Sequence, residues 1–578
     1  MTRPRTCYRT TLLQLVALLH AIVTPEPASC LSMAAKNCNN IIQHIHFNNA
    51  GDSPSPPQVQ NAIFQHMQLE SEVGGYRAAD LASDRLQGVY DSVARLIGAQ
   101  SPTANDGLDV NSGEREEYNA RDEIALVESA TVGWTRVFYS MLETKEREIA
   151  MLQEDNGSNN MHGETQELFI LVSEAEYAAN LVAAVKFARD RSVYSRFRWR
   201  VLPIPSSAIK VDGDIDDLVS SGVVDLDEIK DILDGSYAIE NVDEDDAESV
   251  SNKSQGNHHQ RYLDPKSIAM VCITHIPTNS GIINPVNEIG QLINDFNDRQ
   301  TRMLKDNNQV RKLPPILYLV DACQSVGQIS VNAHKMKCHA LTATGRKYLR
   351  GPRGTGFLFI QKGVANNLEP SHVDHASAPV LKVMPNPGNK MPVWKHGLEE
   401  ETDFGLSHSY QSGAARFEFW ESNVATKLGF GEAINACISV GVDKIEDSCV
   451  FLGVLLRRRL REMASIKVYH DNFENDGYQM CGIVTFRVEN VDAIQIKSRM
   501  ENGVYGLDSD FTGISKCCVH LSVVPATSTP LDSARTGLGD KPLLRASLSY
   551  FNTETEIDLF FNMLHKVIDE QNNNNGVL

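Results

Sequence analysis

Short apolar runs alternate with amphipathic segments over the first two thirds of the chain. The runs show little polar alternation, which predicts strands that are buried on both faces of a sheet. They lie at 124–127, 168–172, 268–276, 316–320 and 356–360. Helical periodicity separates them, for example at 132–151 and 286–303. Because strands separated by helices form parallel sheets, we predict an α/β fold with a large, mostly parallel sheet.

The pattern changes in the last third of the chain. Strand patterns at 483–488 and 543–548 are followed by a helix whose apolar residues share one face. These residues are Ile557, Phe560, Phe561, Leu564, Val567 and Ile568. We therefore predict a large domain over 33–400 and a smaller α+β domain at the C-terminus over 401–578.

Three polar, aperiodic stretches interrupt the predicted large domain. They cover 101–118, 154–165 and 239–261, and the last contains the acidic run 242–248. Such segments can bury almost no apolar surface, so we interpret them as surface insertions.

The first 32 residues resemble a targeting peptide. Arg3, Arg5 and Arg9 precede the apolar run 12–23, and small residues and prolines follow it. The run has about twelve residues, whereas a membrane-spanning helix needs about twenty. We expect a cleaved signal that leads to the secretory pathway or to an organelle such as a plastid, and we predict no membrane partner.

Charge and cysteine content exclude two other classes of function. The net charge of −20 argues against a nucleic-acid partner, which needs clustered cations, and the one basic run beyond the N-terminus, 457–461, is too short to change that. The eleven cysteines form no Cys-x-x-Cys pair and lie near no suitably spaced histidines, which argues against a disulfide framework and against a metal site.

The candidate chemistry lies after the strand at 316–320. This strand ends in Asp321, and a Gly/Thr-rich turn presents Lys347 about twenty residues later. A lysine that forms a Schiff base needs a carbonyl cofactor and an acid against the ring nitrogen of that cofactor. Asp321 can supply the acid, and Gln324 can donate a hydrogen bond to the phenolic oxygen.

Such a cofactor also needs a seat for its phosphate. Ala130 and Thr131 lie between a predicted strand and a helix N-terminus, where backbone amides and the helix dipole favour anions. We predict Thr131 and Thr344 as phosphate ligands.

The glycine run Gly351–Gly356 has a competing interpretation as a nucleotide-binding loop. Dinucleotide loops follow a strand and open a helix, whereas this run precedes the strand at 356–360. The order of elements therefore argues against nucleotide binding.

Several separated motifs together resemble one family. They are Asp321-x-x-Gln324, Thr344-Gly-x-Lys347, Gly351-Pro-x-Gly-x-Gly356, Thr274–Asn279, Arg416–Glu418, and Arg545–Leu548 with Asn552–Glu554. Taken together in their chain order, they resemble the class V aminotransferase family, which includes cysteine desulfurases and selenocysteine lyases. The similarity covers roughly 45–570. It implies the PLP-dependent transferase fold type I and pyridoxal 5'-phosphate as cofactor.

The segments 346–357 and 173–180 are most similar to one branch of that family, which includes ergothioneine-pathway carbon–sulfur lyases and isopenicillin epimerase-like proteins. The resemblance implies that Arg545 binds the substrate carboxylate and that Asn279 contacts the cofactor. A histidine stacks on the cofactor ring in typical desulfurases, but Ala178 stands in its place. Tyr177 and Trp134 are the candidate stacking residues.

The loop that carries the sulfur-accepting cysteine in such desulfurases is 527–531 here, and it contains no cysteine. Cys517 and Cys518 lie too far upstream to replace it, so we interpret both as structural thiols. Simple elimination through a Lys347 aldimine is therefore favoured over a persulfide relay.

The function predicted from these residues is a carbon–sulfur lyase that acts on a small amino acid. The alternatives are a PLP-dependent epimerase or aminotransferase, and a non-catalytic cofactor-binding scaffold. The resemblance also implies a homodimer in which the segment 417–423 completes the site of the other subunit. Glu421 in that segment stands where relatives place a phosphate-binding threonine.

Overall fold

A computed structural model describes most of the chain. The described residues are 41–99, 118–155, 166–210, 218–239, 261–306, 314–383, 406–469, 480–505, 514–535 and 541–575. The predicted targeting peptide and the domain boundary at 400/401 lie outside these ranges, as do nearly all residues of the three predicted insertions. Among the described helices, none has the length and apolar character needed to cross a membrane.

The described residues form twenty strands. They are β1 (Ile41–His46), β2 (Ile124–Val127), β3 (Gln166–Ser173), β4 (Phe197–Ile204), β5 (Ser206–Lys210), β6 (Leu218–Val224), β7 (Ala238–Ile239), β8 (Arg261–Tyr262), β9 (Ile268–Thr274), β10 (Leu317–Asp321), β11 (Ala340–Thr344), β12 (Gly356–Ile360), β13 (Val380–Val383), β14 (Leu406–His408), β15 (Ile466–Val468), β16 (Ile483–Val488), β17 (Val504–Tyr505), β18 (Ile514–His520), β19 (Ser522–Val524) and β20 (Leu543–Ser547).

The described residues also form thirteen α-helices. They are α1 (Pro57–Val73), α2 (Gly75–Leu81), α3 (Ser83–Leu96), α4 (Ala130–Asp155), α5 (Ala178–Tyr194), α6 (Leu226–Asp234), α7 (Val286–Asp306), α8 (Lys362–Ala365), α9 (Val424–Val440), α10 (Val442–Arg461), α11 (Ala493–Asn502), α12 (Pro530–Arg535) and α13 (Glu554–Asn575).

Seven strands form the central sheet, in the order β2-β12-β11-β10-β9-β3-β4. Only β12 runs antiparallel to its neighbours in this sheet. The predicted mostly parallel α/β sheet is therefore confirmed. In β10, Leu317 and Leu319 join one hydrophobic core, whereas Tyr318 and Val320 join the core on the opposite face. Burial of both faces explains why the strand sequences are apolar without alternation.

A second, antiparallel sheet contains β15-β16-β20-β19. The N-terminal strand β1 lies in a third sheet and pairs in parallel with β18, where His46 is opposite His520. Phe47 then packs against Phe560 of α13, with ring centroids 5.7 Å apart. The start of the described chain is thus packed against its C-terminal part.

Candidate active site

Asp321 occupies the carboxyl end of β10, beside Thr274 of β9 and Thr342 of β11. Ligands of parallel sheets bind at this edge. The carboxylate is 5% exposed and both of its oxygens are held. Oδ1 accepts a hydrogen bond from the Cys323 backbone N–H at 2.9 Å, and Oδ2 accepts one from Asn180 Nδ2 at 2.9 Å. Asp321 is therefore fixed in one orientation.

Lys347 lies in a tight turn after β11. The turn is closed by hydrogen bonds from the Gly351 N–H to the Gly345 carbonyl and from the Arg350 N–H to the Lys347 carbonyl, both 2.8 Å. Burial lowers the pKa of the Lys347 amine, nearby Arg346 and Arg545 add to the lowering, and Cys323 and Asp321 oppose it. A lowered pKa increases the fraction of neutral amine, which is the nucleophilic and basic form.

Arg545 projects from β20 towards the same region and is 5% exposed. Nη1 donates to the carbonyl and to Oγ1 of Thr278 at 3.0 and 2.7 Å, and Nη2 donates to Ser522 Oγ at 3.2 Å. Burial lowers the pKa of Arg545 to about 10, which leaves the side chain cationic at neutral pH. Its Nε has no hydrogen-bond partner among the described residues. The guanidinium is thus a buried, oriented cation suited to a carboxylate.

Two buried amides lie near these charged residues. Gln324 Nε2 donates to the Ala50 carbonyl at 3.2 Å and to Thr278 Oγ1 at 3.1 Å. Asn279 Nδ2 donates to Thr529 Oγ1 at 3.0 Å. Within the described part of the chain, Oε1 of Gln324 and Oδ1 of Asn279 are both buried without a partner. Unpaired buried acceptors are costly, so these atoms indicate a ligand that donates hydrogen bonds. Both Nε2 hydrogens of Gln324 are already used, so the predicted donation from Gln324 to a phenolic oxygen does not fit this arrangement.

The predicted phosphate seat lies at the start of α4. Ser129 Oγ accepts a hydrogen bond from the Val132 N–H at 3.2 Å, which caps the helix. Ala130 is buried and Thr131 is exposed.

Gly356 pairs with Val127 of β2 on one side and with Thr344 of β11 on the other. Thr344 and the end of β2 are therefore two strands, or about 10 Å, apart. A Cβ on Gly356 would lie 2.5 Å from the Ala343 carbonyl and 3.2 Å from the Ala130 nitrogen, so glycine is required for this approach. The Thr344 hydroxyl donates a hydrogen bond to the Thr355 carbonyl at 3.3 Å.

The two candidate stacking residues have different surroundings. Trp134 is 1% exposed and stacks on Phe138 inside the hydrophobic core, with ring centroids 4.4 Å apart. Tyr177 directly precedes α5 and is 38% exposed. It lies close enough to Arg545 that its phenol raises the pKa of the guanidinium, against the lowering by burial. This packing favours Tyr177 as the residue that faces a bound ring, and both roles stay predictions.

Four residues beside the predicted site were not assigned a role from the sequence. Glu176 accepts a hydrogen bond from Asn180, which also donates to Asp321. Thr278 accepts hydrogen bonds from both Arg545 and Gln324. Cys323 lies two residues after Asp321. Burial raises the pKa of the Cys323 thiol to about 12, so it is neutral at physiological pH. All four lie inside segments that the sequence analysis singled out, namely 173–180, Thr274–Asn279 and Asp321–Gln324, and the i, i+4 spacing of Glu176 and Asn180 is a further signal.

All eight cysteines in the described residues are free thiols. Cys517 and Cys518 are buried in β18, opposite Gln43 and His44 of β1. Burial raises the pKa of Cys517 to about 11. These positions agree with the interpretation of both residues as structural thiols.

Residues 250–375 match the Aminotransferase class-V family. A probable cysteine desulfurase of Methanothermobacter thermautotrophicus is 26% identical over 298 residues, which cover 52% of this chain and 60% of that protein. A probable cysteine desulfurase of Synechocystis is 22% identical over 527 residues, which cover 91% of both chains.

Among solved structures, C-DES superposes with a TM-score of 0.55 at 15% sequence identity, over 91% of this chain and 97% of its own. C-DES is described as a cystine C–S lyase in complex with its product cysteine persulfide, and another of its structures has glycine covalently linked to the PLP cofactor. This likeness shows that the two proteins share a fold.

Proposed function

We propose that this chain is a member of the class V aminotransferase and cysteine desulfurase-like family, to which it is similar, and that it is a pyridoxal-phosphate-dependent carbon–sulfur lyase. The convergence of Lys347, Asp321 and Arg545 on one edge of the central sheet carries this proposal. The substrate is a cysteine-like or sulfoxide-bearing amino acid. When bound, pyridoxal phosphate supplies a ring that accepts electrons from the substrate Cα.

The residues of the site fit this cofactor. Buried amide oxygens on Gln324 and Asn279 have no partner in the described chain, and Asp321 presents a fixed carboxylate suited to a pyridine nitrogen. The capped start of α4 is suited to the phosphate. Lys347 is a largely buried amine suited to the covalent attachment.

Each charged side chain then has a defined task. Arg545 binds the substrate carboxylate, and its bonds to Thr278 and Ser522 fix the direction of the guanidinium. The Lys347 Nζ removes the proton from the substrate Cα, which requires the neutral amine. The carbon–sulfur bond breaks, and the sulfur group leaves with the bonding electron pair.

The segment 526–535 supports elimination over a persulfide relay. It contains no cysteine, and it packs on the rest of the site through Thr529, which accepts the bond from Asn279, and through Asp532, whose N–H donates to the Glu174 carbonyl at 3.1 Å. With the Cys323 thiol neutral, we expect the released sulfur to appear in solution.

The test is a substrate screen with reconstituted protein. We expect cysteine, cystine or S-oxide conjugates to yield pyruvate together with sulfide, persulfide or the sulfenic fragment. Lys347→Ala should lose both this activity and the visible absorbance of the cofactor, whereas Lys335→Ala, at an exposed lysine, should lose neither. Amino-acid exchange with a keto-acid panel, or inversion at Cα without release of sulfur, would identify an aminotransferase or an epimerase instead.

We also propose that the chain forms a homodimer. Phe64, Met67 and Tyr76 on α1 and α2 are 71%, 52% and 79% exposed. Trp420, which is 55% exposed, lies 6.2 Å from the Tyr76 ring and extends this apolar surface into the segment 417–423. Exposed apolar surface of this kind is typical of an interface. Light scattering should give twice the 64.0 kDa chain mass, and Phe64→Glu should halve it.

A further inference from the structure

One buried amide joins two buried carboxylates at the end of the central sheet. Asn180 Nδ2 lies 2.8 Å from Glu176 Oε1 and 2.9 Å from Asp321 Oδ2. Asn180 is 2% exposed and Glu176 is 1% exposed. Because an amide nitrogen carries two hydrogens, it can donate one to each carboxylate. The position of each carboxylate therefore depends on the other.

Glu176 accepts four further hydrogen bonds. Its donors are Ser173 Oγ at 3.0 Å, the Tyr177 N–H at 3.2 Å, and the N–H and Oγ1 of Thr274 at 3.1 and 2.5 Å. Five donors around two oxygens favour an ionised carboxylate. None of these donors is a cation.

The buried carboxyl group of Glu176 lies close to a second buried carboxylate, that of Asp321. Burial raises the pKa of Glu176 to about 7, the negative charge of Asp321 adds to this effect, and the hydrogen bonds oppose it. The other titratable group that couples to Glu176 is the buried thiol of Cys272. Among the described residues, the titratable groups that couple to Glu176 are thus acids, and the nearby amine of Lys347 interacts with Asp321.

We infer that Glu176 is a positioning residue for the cofactor: through Asn180 it orients Asp321 and adds a second negative charge that stabilises a cationic ring nitrogen. This inference rests on the proposed function, because the cation is the protonated ring of pyridoxal phosphate. A cation bound at Asp321 favours ionised Glu176, and ionised Glu176 favours the cation by the same free energy. Binding of the cofactor near neutral pH is therefore accompanied by loss of a proton from Glu176.

The experiment is a pH titration of the visible absorbance of the holoprotein, combined with measurement of the cofactor dissociation constant. Glu176→Gln keeps the shape of the side chain and removes its charge. We expect the midpoint of the titration to fall by about one pH unit and the dissociation constant to rise about tenfold.

Glu123→Gln is the matched control. Glu123 is also a buried carboxylate with a pKa raised by burial, but it lies just before β2 and accepts a hydrogen bond from the Lys362 N–H at 3.2 Å. It should leave the midpoint and the dissociation constant unchanged, even where it lowers thermal stability.

A second variant covers the case in which Glu176→Gln does not fold. Thr274→Val removes one donor to Glu176 and leaves Asn180 and Asp321 intact, so the midpoint should fall by a smaller amount. Unchanged midpoints in the folded variants would overturn the inference alone. A wild-type protein that develops no visible band with excess cofactor would overturn the proposed function, and this inference with it.

Discussion

The two sides of the candidate site are constructed differently. The side that holds Asp321 is formed by neighbouring strand ends of one sheet, and its bonds join β9, β10 and the start of α5. The side that holds Arg545 is assembled from separate segments, including 48–50, 278–279 and 522–529. The first side has a fixed geometry within the sheet, whereas the second depends on packing between distant parts of the chain.

This difference indicates that the two sides of the site have separate functions. Under the proposed function, the sheet-end side carries Asp321 for the cofactor ring, and the assembled side carries Arg545 for the substrate carboxylate. Variants of the assembled side should therefore change substrate binding while the cofactor remains bound.

Among these variants, we expect Arg545→Met to cause the largest loss of activity. It removes the buried cation that we propose binds the substrate carboxylate, so we expect kcat/KM to fall about 100- to 1,000-fold. Visible absorbance of the cofactor should persist. Arg545→Lys retains the charge but not the two-pronged geometry, and should recover only part of the activity. Loss of the cofactor band in Arg545→Met would show that the two sides are not separable.

Glu176 makes the stability of the sheet-end side dependent on pH. Because burial raises its pKa from 4.5 to about 7, the folded apoprotein binds more protons than the unfolded chain between these values. The contribution of Glu176 to the free energy of unfolding is therefore fully present below pH 4.5 and is lost as pH rises through 7. The total loss is at most about 3 kcal/mol. Thermal unfolding of the apoprotein should show a decline over this range that Glu176→Gln flattens. Parallel curves for wild type and variant would contradict this.

The sequence was most informative for the strands of the central sheet and for the candidate residues at or after the ends of these strands. Apolar runs located five of the seven strands of the central sheet but not β4 or β11, and β12 was predicted with its observed bounds. Asp321 was identified as a chemical group because it ends such a strand, and Lys347 because it lies in a Gly/Thr-rich turn. Local sequence and local geometry coincide at these positions.

The assembled side was less accessible to prediction. The pairing of β1 with β18 brings Phe47 and Asn48 beside residues more than 470 positions away, and no periodicity encodes that contact. The role of Thr278 depends on Arg545, 267 residues further along the chain. Likewise, a helical pattern cannot show that Trp134 packs on Phe138 in the core.

Thr278→Val tests the one hydroxyl that joins the two sides. Thr278 Oγ1 accepts hydrogen bonds from Arg545 Nη1 and Gln324 Nε2, which use both of its lone pairs. The variant keeps the backbone bond to Arg545, so we expect about a tenfold rise in KM, worth roughly 1.4 kcal/mol, with kcat little changed.

Thr278→Ser retains the hydroxyl and should keep the wild-type KM. The released Gln324 amide should also shift the pH midpoint of the cofactor absorbance slightly in Thr278→Val and not in Thr278→Ser. If KM stays constant while kcat falls, the hydroxyl serves the cofactor alone, and the substrate side is positioned by Ser522 and the Thr278 carbonyl.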